Sequence, residues 1–482
     1  MTPTLRPYQV QLLDDIRASM RRGNRRILAV MPTGAGKGTT IAEMVRSAAA
    51  KGHRVLILAH RAELIADLSH RIHSLDVNHG VIAAGYREDL RLPVQVGSVQ
   101  TVVRRLDRIP APSMVIQDEA HHLVAGNMWG RIIDAWPAAY LIGKTATPER
   151  LSGEGLGIGH GGYFQELIQG PTAAWLTAEG FLVPARVFAP PGIDLSAIKR
   201  GALDTRAGQQ TAAGILQAGQ AMGDAVSHYR RTIADQHNGT AIAFCCSVAH
   251  ADAVAEAFRA QGIAAARLDG TMDRLARRRL IADLGAGVLK VLTSCDIVSE
   301  GTDIPSVTGA ILLRPTDSLG LYLQQVGRVL RPAPGKRVAV VNDHVGNSSR
   351  HGLPADERDW TLQGRTRRGR AAAAELPVRV CDRCFCTMPS AVLTCPECGH
   401  VAEAPGPRTL ETVAGALVEL TPEQVASQRK HRIMEESDCR SLEDLEELGR
   451  RRGYKPGWAR YRWNAREQRR LIRTAGGYRR GA

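Results

Sequence analysis

Aromatic side chains are scarce in this chain of 482 residues, at 4% of the total. Its cores must be built from aliphatic residues, and any local concentration of rings carries information. Long apolar runs are missing too. No stretch of about eighteen consecutive apolar residues occurs, so neither a membrane span nor a membrane partner is expected. The opening MTPTLRPYQVQLLDDI has no apolar core of the kind a secretory signal needs, and the expected location is cytoplasmic. Acidic residues fall short of basic ones, 48 against 63, for a formal net charge of +15 and a pI near 9.7. That excess favours a polyanionic partner. Paired carboxylates with a lysine, or a histidine-rich cluster, do not occur outside the motifs below, so strand cleavage would need a partner chain. The nine cysteines of a cytosolic chain are expected to be thiols or metal ligands rather than disulfides.

The strongest chemical signal lies in Arg25–Ala50, RRILAVMPTGAGKGTTIAEMVRSAAA. Ile27–Val30 reads as a buried strand, a glycine-rich turn follows, and a helix former begins near Thr39. Glycines let backbone N–H groups close around an anion, a helix N-terminus adds positive potential, and Lys37 supplies a full charge. Thr33, Gly34, Gly36, Lys37, Gly38 and Thr39 are therefore candidate nucleotide-phosphate ligands. Gly38 departs from the usual pattern. A phosphate loop ordinarily ends Gly-Lys-Thr/Ser because that hydroxyl ligates Mg²⁺, so metal binding here is expected to be rearranged or weaker. Upstream, Leu5-Arg6-Pro7-Tyr8-Gln9 precedes an amphipathic helix over Val10–Met20. Gln9 is a candidate to read an adenine edge through its amide, with Arg6 and Tyr8 beside it.

Beyond the loop, Arg54–Ala59, Val94–Gln100, Met114–Ile116 and Tyr140–Ile142 read as strands and Ala62–Leu75 as a helix. Such alternation implies a parallel sheet with helices on both faces and ligands at the carboxyl ends of its strands. At one such end stands Gln117-Asp118-Glu119-Ala120-His121-His122. Adjacent carboxylates suit a division of labour, with Asp118 holding Mg²⁺ through water and Glu119 polarising the attacking water. Glu149–Gly162 is glycine-rich and reads as a flexible loop. Alternation resumes from Val226, with strands expected over Ala241–Cys245, Ala264–Leu268, Lys290–Ser294, Gly309–Leu313 and Val338–Val341. Helices are expected over His250–Gln261 and Arg274–Leu284. This second α/β lobe has no phosphate loop, so it should contribute to the first lobe's site from across a cleft. Gln324, Arg328 and Arg331 fall at i, i+4 and i+7 of one helix face, and paired guanidiniums suit a transferring γ-phosphate.

The order LRPYQ, PTGAGKG, LAHR, GSVQT, DEAH, TATP resembles the first motor lobe of a superfamily 2 helicase of the DEAH type, and QQVGRVLR resembles that family's arginine-finger motif. ILLRPTDSLGLYLQQVGRVLRPAPGK followed by NDHVGN is similar to the RadD-like branch of bacterial helicases. The resemblance covers about residues 5–348. It implies two tandem RecA-like lobes with ATP in the cleft between them, and an ATP hydrolase that moves on or remodels nucleic acid. DNA is favoured over RNA, in replication, recombination or repair, with a single-strand-binding protein or another repair factor as a further partner. It also implies that Thr145-Ala146-Thr147-Pro148 couples hydrolysis to lobe movement, and that His60, Arg61, Ser98, Thr101 and Thr293 touch the nucleic-acid backbone. Gly301 and Asp303, within Glu300-Gly301-Thr302-Asp303-Ile304-Pro305, would link nucleotide to the lobe interface. A nucleotide-gated annealing scaffold and an RNA helicase remain the alternatives.

Behind the lobes lies Cys381-x₂-Cys384-x₁₀-Cys395-x₂-Cys398. Each two-residue gap lets both thiolates face one ion, so a closed, structural Zn²⁺ site is expected. Cys386 is a spare that could replace Cys384, and His400 is a weaker contender. Cys245, Cys246, Cys295 and Cys439 lack such spacing and read as packing residues. Thr421–Gly449 reads as helical. From Arg450 to Ala482 there are twelve Lys and Arg against one acid, interleaved with Tyr454, Trp458, Tyr461 and Trp463. Rings such as Trp463 can stack on unpaired bases while Arg460 and its neighbours track phosphates, and a packed helical hairpin is the alternative. The expected organisation is an α/β chain with a first lobe over 1–165, a connector over 166–225 and a second lobe over 226–348. A basic linker over 349–376, a zinc ribbon over 377–402 and a helical segment with a basic aromatic tail over 403–482 would follow.

Overall fold

The computed structural model describes residues 4–150, 152–189, 198, 201–218, 221–270, 272–295, 304–364, 378–401, 434–436, 438–451, 459–460 and 462–463. The chain divides into two compact units, 1–404 and 405–482. The larger contains two lobes, each built on a parallel sheet.

In the first lobe the order is α1 (Pro7–Arg21), β1 (Arg26–Val30), α2 (Lys37–Ala49), β2 (Val55–Ala59), α3 (Ala62–His73), β3 (Gly80–Ile82), β4 (Val94–Ser98), α4 (Val99–Val102), β5 (Met114–Asp118), α5 (Met128–Ala135), β6 (Tyr140–Thr145) and β7 (Glu166–Gln169). The sheet runs β3-β4-β2-β5-β6-β1-β7, all parallel. After α6 (Ala173–Ala178) comes the second lobe: β8 (Ala185–Phe188), α7 (Arg206–Ala218), α8 (Ala221–Thr232), β9 (Ala241–Cys245), α9 (Val248–Ala260), β10 (Ala265–Leu268), α10 (Arg274–Gly285), β11 (Val291–Ser294), β12 (Gly309–Leu313), α11 (Leu319–Gly327), β13 (Ala339–Asp343) and α12 (Asn347–His351). Strands β2, β9, β12 and β13 are buried along their whole length, as parallel strands covered on both faces must be. Aliphatic side chains carry this burial, and one continuous cluster runs from Leu12, Ile27 and Ile41 through Leu182 and Val187 to Ile242, Tyr322 and Val341. Among the described residues no helix is long and apolar enough to cross a membrane.

Three segments differ from the sequence expectation. The stretch 166–225, read as a connector, supplies a strand to each sheet: β7 pairs with β1 at the edge of the first, and β8 with β13 inside the second. The glycine-rich loop after Glu149 is pinned, because Leu156 and Gly157 donate their N–H groups to the Leu362 carbonyl at 3.0 Å and Gly157 bridges Phe164. Residues 353–362, expected within a basic linker, return from the second lobe to the first. Arg358 is tied to the Leu353 and His351 carbonyls, while Trp360 and Leu362 pack on the first lobe's core. Short polar loops look alike in sequence, and the apolar Trp-x-Leu pair within 349–376 was the cue that this one is anchored.

The second sheet continues past β8 into the cysteine segment. β15 (Cys386–Pro389) lies antiparallel to β8, and β14 (Val378–Val380) antiparallel to β15. In the smaller unit, α13 (Leu442–Arg451) buries Leu445 and Leu448. Most of the tail lies outside the described residues.

Candidate active site

The phosphate loop leaves β1 at Val30 and re-enters helix at Lys37. Gly34 and Gly36 turn with φ of 90° and 86°, a region that side chains with a Cβ avoid. Gly36 is fixed twice over, since a Cβ there would stand 2.3 Å from the Gln9 amide nitrogen. Gln9 itself donates to the Ala35 carbonyl at 3.1 Å and accepts from the Arg6 N–H, and the Tyr8 hydroxyl donates to the same carbonyl at 3.0 Å. Arg6 lies over the Phe181 ring. What Gln9 and Tyr8 touch directly is thus the phosphate loop, which they brace from behind. Gly38 has a physical partner: a Cβ there would sit 3.1 Å from Nε of Arg71, whose side chain fills that space while paired to Asp67.

Asp118 ends β5, and Glu119 follows with φ 50°, a strained turn that swings its carboxylate toward the second lobe. Glu119 Oε2 lies 3.5 Å from Gln324 Nε2 across the cleft and 3.5 Å from His121 Nδ1, which in turn lies 3.0 Å from the Thr145 hydroxyl. Burial lowers the pKa of the Lys37 ammonium; Glu119 and then Asp118 oppose that, while Arg328 and Arg331 add to it. Five of the expected site residues, from both lobes, therefore share one electrostatic environment. Burial, and then the neighbouring Glu119 charge, push the Asp118 carboxyl up to about 6, against the pull of Lys37 and Lys144. A buried carboxylate pair held beside a glycine cradle is a donor set that fits a phosphate chain and a divalent cation.

The helical-face expectation needs a correction. Helix α11 ends at Gly327, with Arg328 as its cap, so Arg331 does not share a helical face with Gln324. It reaches the site from the following loop, where its Cγ lies 3.4 Å from a Cβ placed on Gly34. Gly327 sits against Thr33, where a Cβ would stand 2.4 Å from the threonine's own, and Pro332 just beyond Arg331 disfavours helix at that position.

Of the residues expected on nucleic acid, His60, Ser98 and Thr101 do share one edge, because Ala59 pairs with Ser98 at the ends of β2 and β4. Gln100 bridges them, accepting from Ser98 Oγ and donating to the His60 carbonyl; Arg61 lies against the His60 ring. Thr293 does not belong with them. It is fully buried in β11 and donates to the Ala251 carbonyl at 2.7 Å, which makes it a core residue. Gly301 and Asp303 lie outside the described residues, while Arg460 and Trp463 fall in the smaller unit on helical backbone.

The thiols of Cys381, Cys384, Cys395 and Cys398 lie within 4.8 Å of one another, an arrangement that fits Zn²⁺. Cys386 lies outside this set of four: it is buried in β15, its thiol near the Thr387 carbonyl and the Cys395 side chain. His400 contributes only its carbonyl, to the Cys395 N–H. Sequence reading missed Lys144 and Lys336, both buried. A lysine inside the apolar strand Tyr140-Leu141-Ile142-Gly143-Lys144 was the available signal for the first.

Comparison with known proteins adds to this geometry. Residues 2–150 match the family model described as type III restriction enzyme, res subunit, and residues 224–333 match the helicase conserved C-terminal domain. A 51.5 kDa protein of Lactococcus phage (isolate 7-9) is 31% identical over 376 residues, covering 77% of this chain and 76% of that one. The putative ATP-dependent helicase IRC3 of Saccharomyces cerevisiae is 27% identical over 367 residues, 72% of this chain but 52% of its own, so this chain spans about half its length. Among solved structures, a fragment of a putative HsdR subunit of a type I restriction enzyme from Vibrio vulnificus YJ016 superposes with a TM-score of 0.54 at 21% identity, over 73% of this chain and 68% of that one, a likeness of fold.

Proposed function

We propose that this chain, which belongs to the superfamily 2 helicases, uses DNA as its track. It is an ATP-hydrolysing nucleic-acid helicase or translocase. The observation that carries the mechanism is the meeting of Lys37, Asp118, Glu119, Arg328 and Arg331 in one field, with Gln324 and Glu119 facing each other at 3.5 Å from opposite lobes. Lys37 and the loop amides bind the phosphates. Asp118 would hold Mg²⁺, which supplies charge neutralisation at the phosphates when bound. Glu119 orients the attacking water and takes its proton, while Arg328 and Arg331 stabilise charge growing on the transferred phosphoryl group. Because acid and arginines come from different lobes, turnover requires the cleft closed, and each cycle of closing and opening moves the edge bearing His60, Ser98 and Thr101 relative to the second lobe.

DNA is supported by the restriction-enzyme description of the first lobe's family and by the RadD-like sequence of the second. Zn²⁺ at the four cysteines, the arginine-rich tail and a single-strand-binding or repair partner belong to the same reading, as do a cytoplasmic location and a role in replication, recombination or repair. The test is steady-state ATP hydrolysis with no polymer, single-stranded DNA, forked DNA and single-stranded RNA. Stimulation by DNA over RNA is expected. Stimulation by RNA alone makes the chain an RNA helicase.

A further inference from the structure

Lys144 is completely buried on β6, in register with Asp118 on one side and Ala29 on the other. Its ammonium donates to the Thr40 hydroxyl and lies 3.8 Å from the Met31 sulfur. Among the described residues no carboxylate comes within ion-pair distance of it. A buried ammonium with three donors and one hydrogen-bonded oxygen carries a desolvation cost of several kcal/mol that the nearby Asp118 charge offsets only in part, and a methionine or leucine would fill the same volume without that cost. Stability therefore does not account for this lysine.

Its position supplies an alternative. The Thr40 hydroxyl that receives the ammonium donates onward to the Lys37 carbonyl at 2.8 Å, so Lys144 stands directly behind the first turn of α2. That turn carries Gly38, where the loop lacks the hydroxyl that would ligate Mg²⁺, and Arg71 occupies the space such a side chain would take. The charge of Lys144 also acts on Asp118.

We propose that Lys144 is a resident cation of the nucleotide site: a positioning residue whose charge, from beneath α2, takes over part of the neutralisation that Mg²⁺ gripped by a residue-38 hydroxyl would supply. Nucleotide then binds with weak dependence on Mg²⁺, and the metal binds the nucleotide complex less tightly than the charge of Asp118 alone would dictate. The inference rests on the phosphate loop holding nucleotide.

The experiment titrates a fluorescent ADP analogue into the full-length wild type, Lys144→Met and Thr40→Val, in chelator and in saturating Mg²⁺, with thermal melts of each. Chelation is expected to weaken wild-type binding by less than about tenfold and Lys144→Met by about tenfold more. The concentration of Mg²⁺ at half-saturation falls in the variant. Lys144→Met melts at or above the wild-type temperature, because a buried charge has been replaced by an apolar chain. Thr40→Val, which removes the ammonium's oxygen partner, moves the chelation ratio in the same direction and serves if the methionine variant does not fold. Equal chelation ratios in wild type and both variants overturn the proposal. Failure of wild type to bind the analogue even in Mg²⁺ overturns the nucleotide reading of the loop, and the proposal with it.

Discussion

Lys336 offers a sharp test of how the arginine loop is held. It is 6% exposed, and its ammonium spends all three donors on carbonyls: Pro305 at 2.9 Å, Val307 at 2.6 Å and Arg331 at 2.8 Å. Its partners lie on both sides of the loop, tying the turn after α11 to the segment leading into β12. Lys336→Met keeps the volume and strands three acceptors. Each buried acceptor left unsatisfied costs about 1–3 kcal/mol, and losing a desolvated ammonium while burying the methionine returns part of the total. A net loss of about 3 kcal/mol in a lobe of this size lowers its melting midpoint by about 6–12 °C. Because the Arg331 carbonyl is one of the three, kcat should also fall, by about tenfold for a small displacement of the arginine, with KM for ATP nearly unchanged. Calorimetry with parallel ATPase kinetics reads both. A midpoint within about 2 °C of wild type, with kcat unaltered, would refute the clamp.

Two further outcomes follow from buried groups elsewhere. Burial, with His228 adding to it, lowers the His344 imidazole to about 3, and burial lowers His250 to about 4, both below the ordinary 6.5. A folded pKa depressed in this way means stability complete above about 6.5 and lost as pH falls, at about 1.4 kcal/mol per pH unit for each histidine. Denaturant melts that stay flat between about pH 7 and 5 would contradict this. In protein loaded with Zn²⁺ at the four cysteines, chelation should loosen β15 from β8, so that amide exchange at Val187 and Phe188 accelerates while β9 and β12, in the sheet centre, stay protected. Unchanged exchange at β8 would make the ribbon independent of the motor sheet.

The sequence was most legible where one residue type meets one physical need. Gly34 and Gly36 announce a left-handed turn, paired CxxC spacings announce a cluster of four thiols, and apolar runs such as Ala241–Cys245 announce buried parallel strands, all as found. It was least legible where a role depends on long-range packing. Nothing local says that Ala185–Phe188 joins the second sheet, that Leu362 ties the glycine-rich loop, or that Gly327 packs against Thr33 of the other lobe. Thr293 illustrates the same limit: its motif position suggested a phosphate contact, while its strand register buries it. Spacing also could not say which four of the five thiols gather; the structure brings together Cys381, Cys384, Cys395 and Cys398.

The most direct measurement of the central claim is strand separation on a forked DNA duplex by wild type and Glu119→Gln, under conditions where both bind the fork. ATP-dependent separation by wild type and none by the variant is expected, because the proposed mechanism gives Glu119, at the lobe interface, the task of activating water. Equal remodelling by the two proteins would mean that nucleotide only gates binding, and would replace the motor with an annealing scaffold.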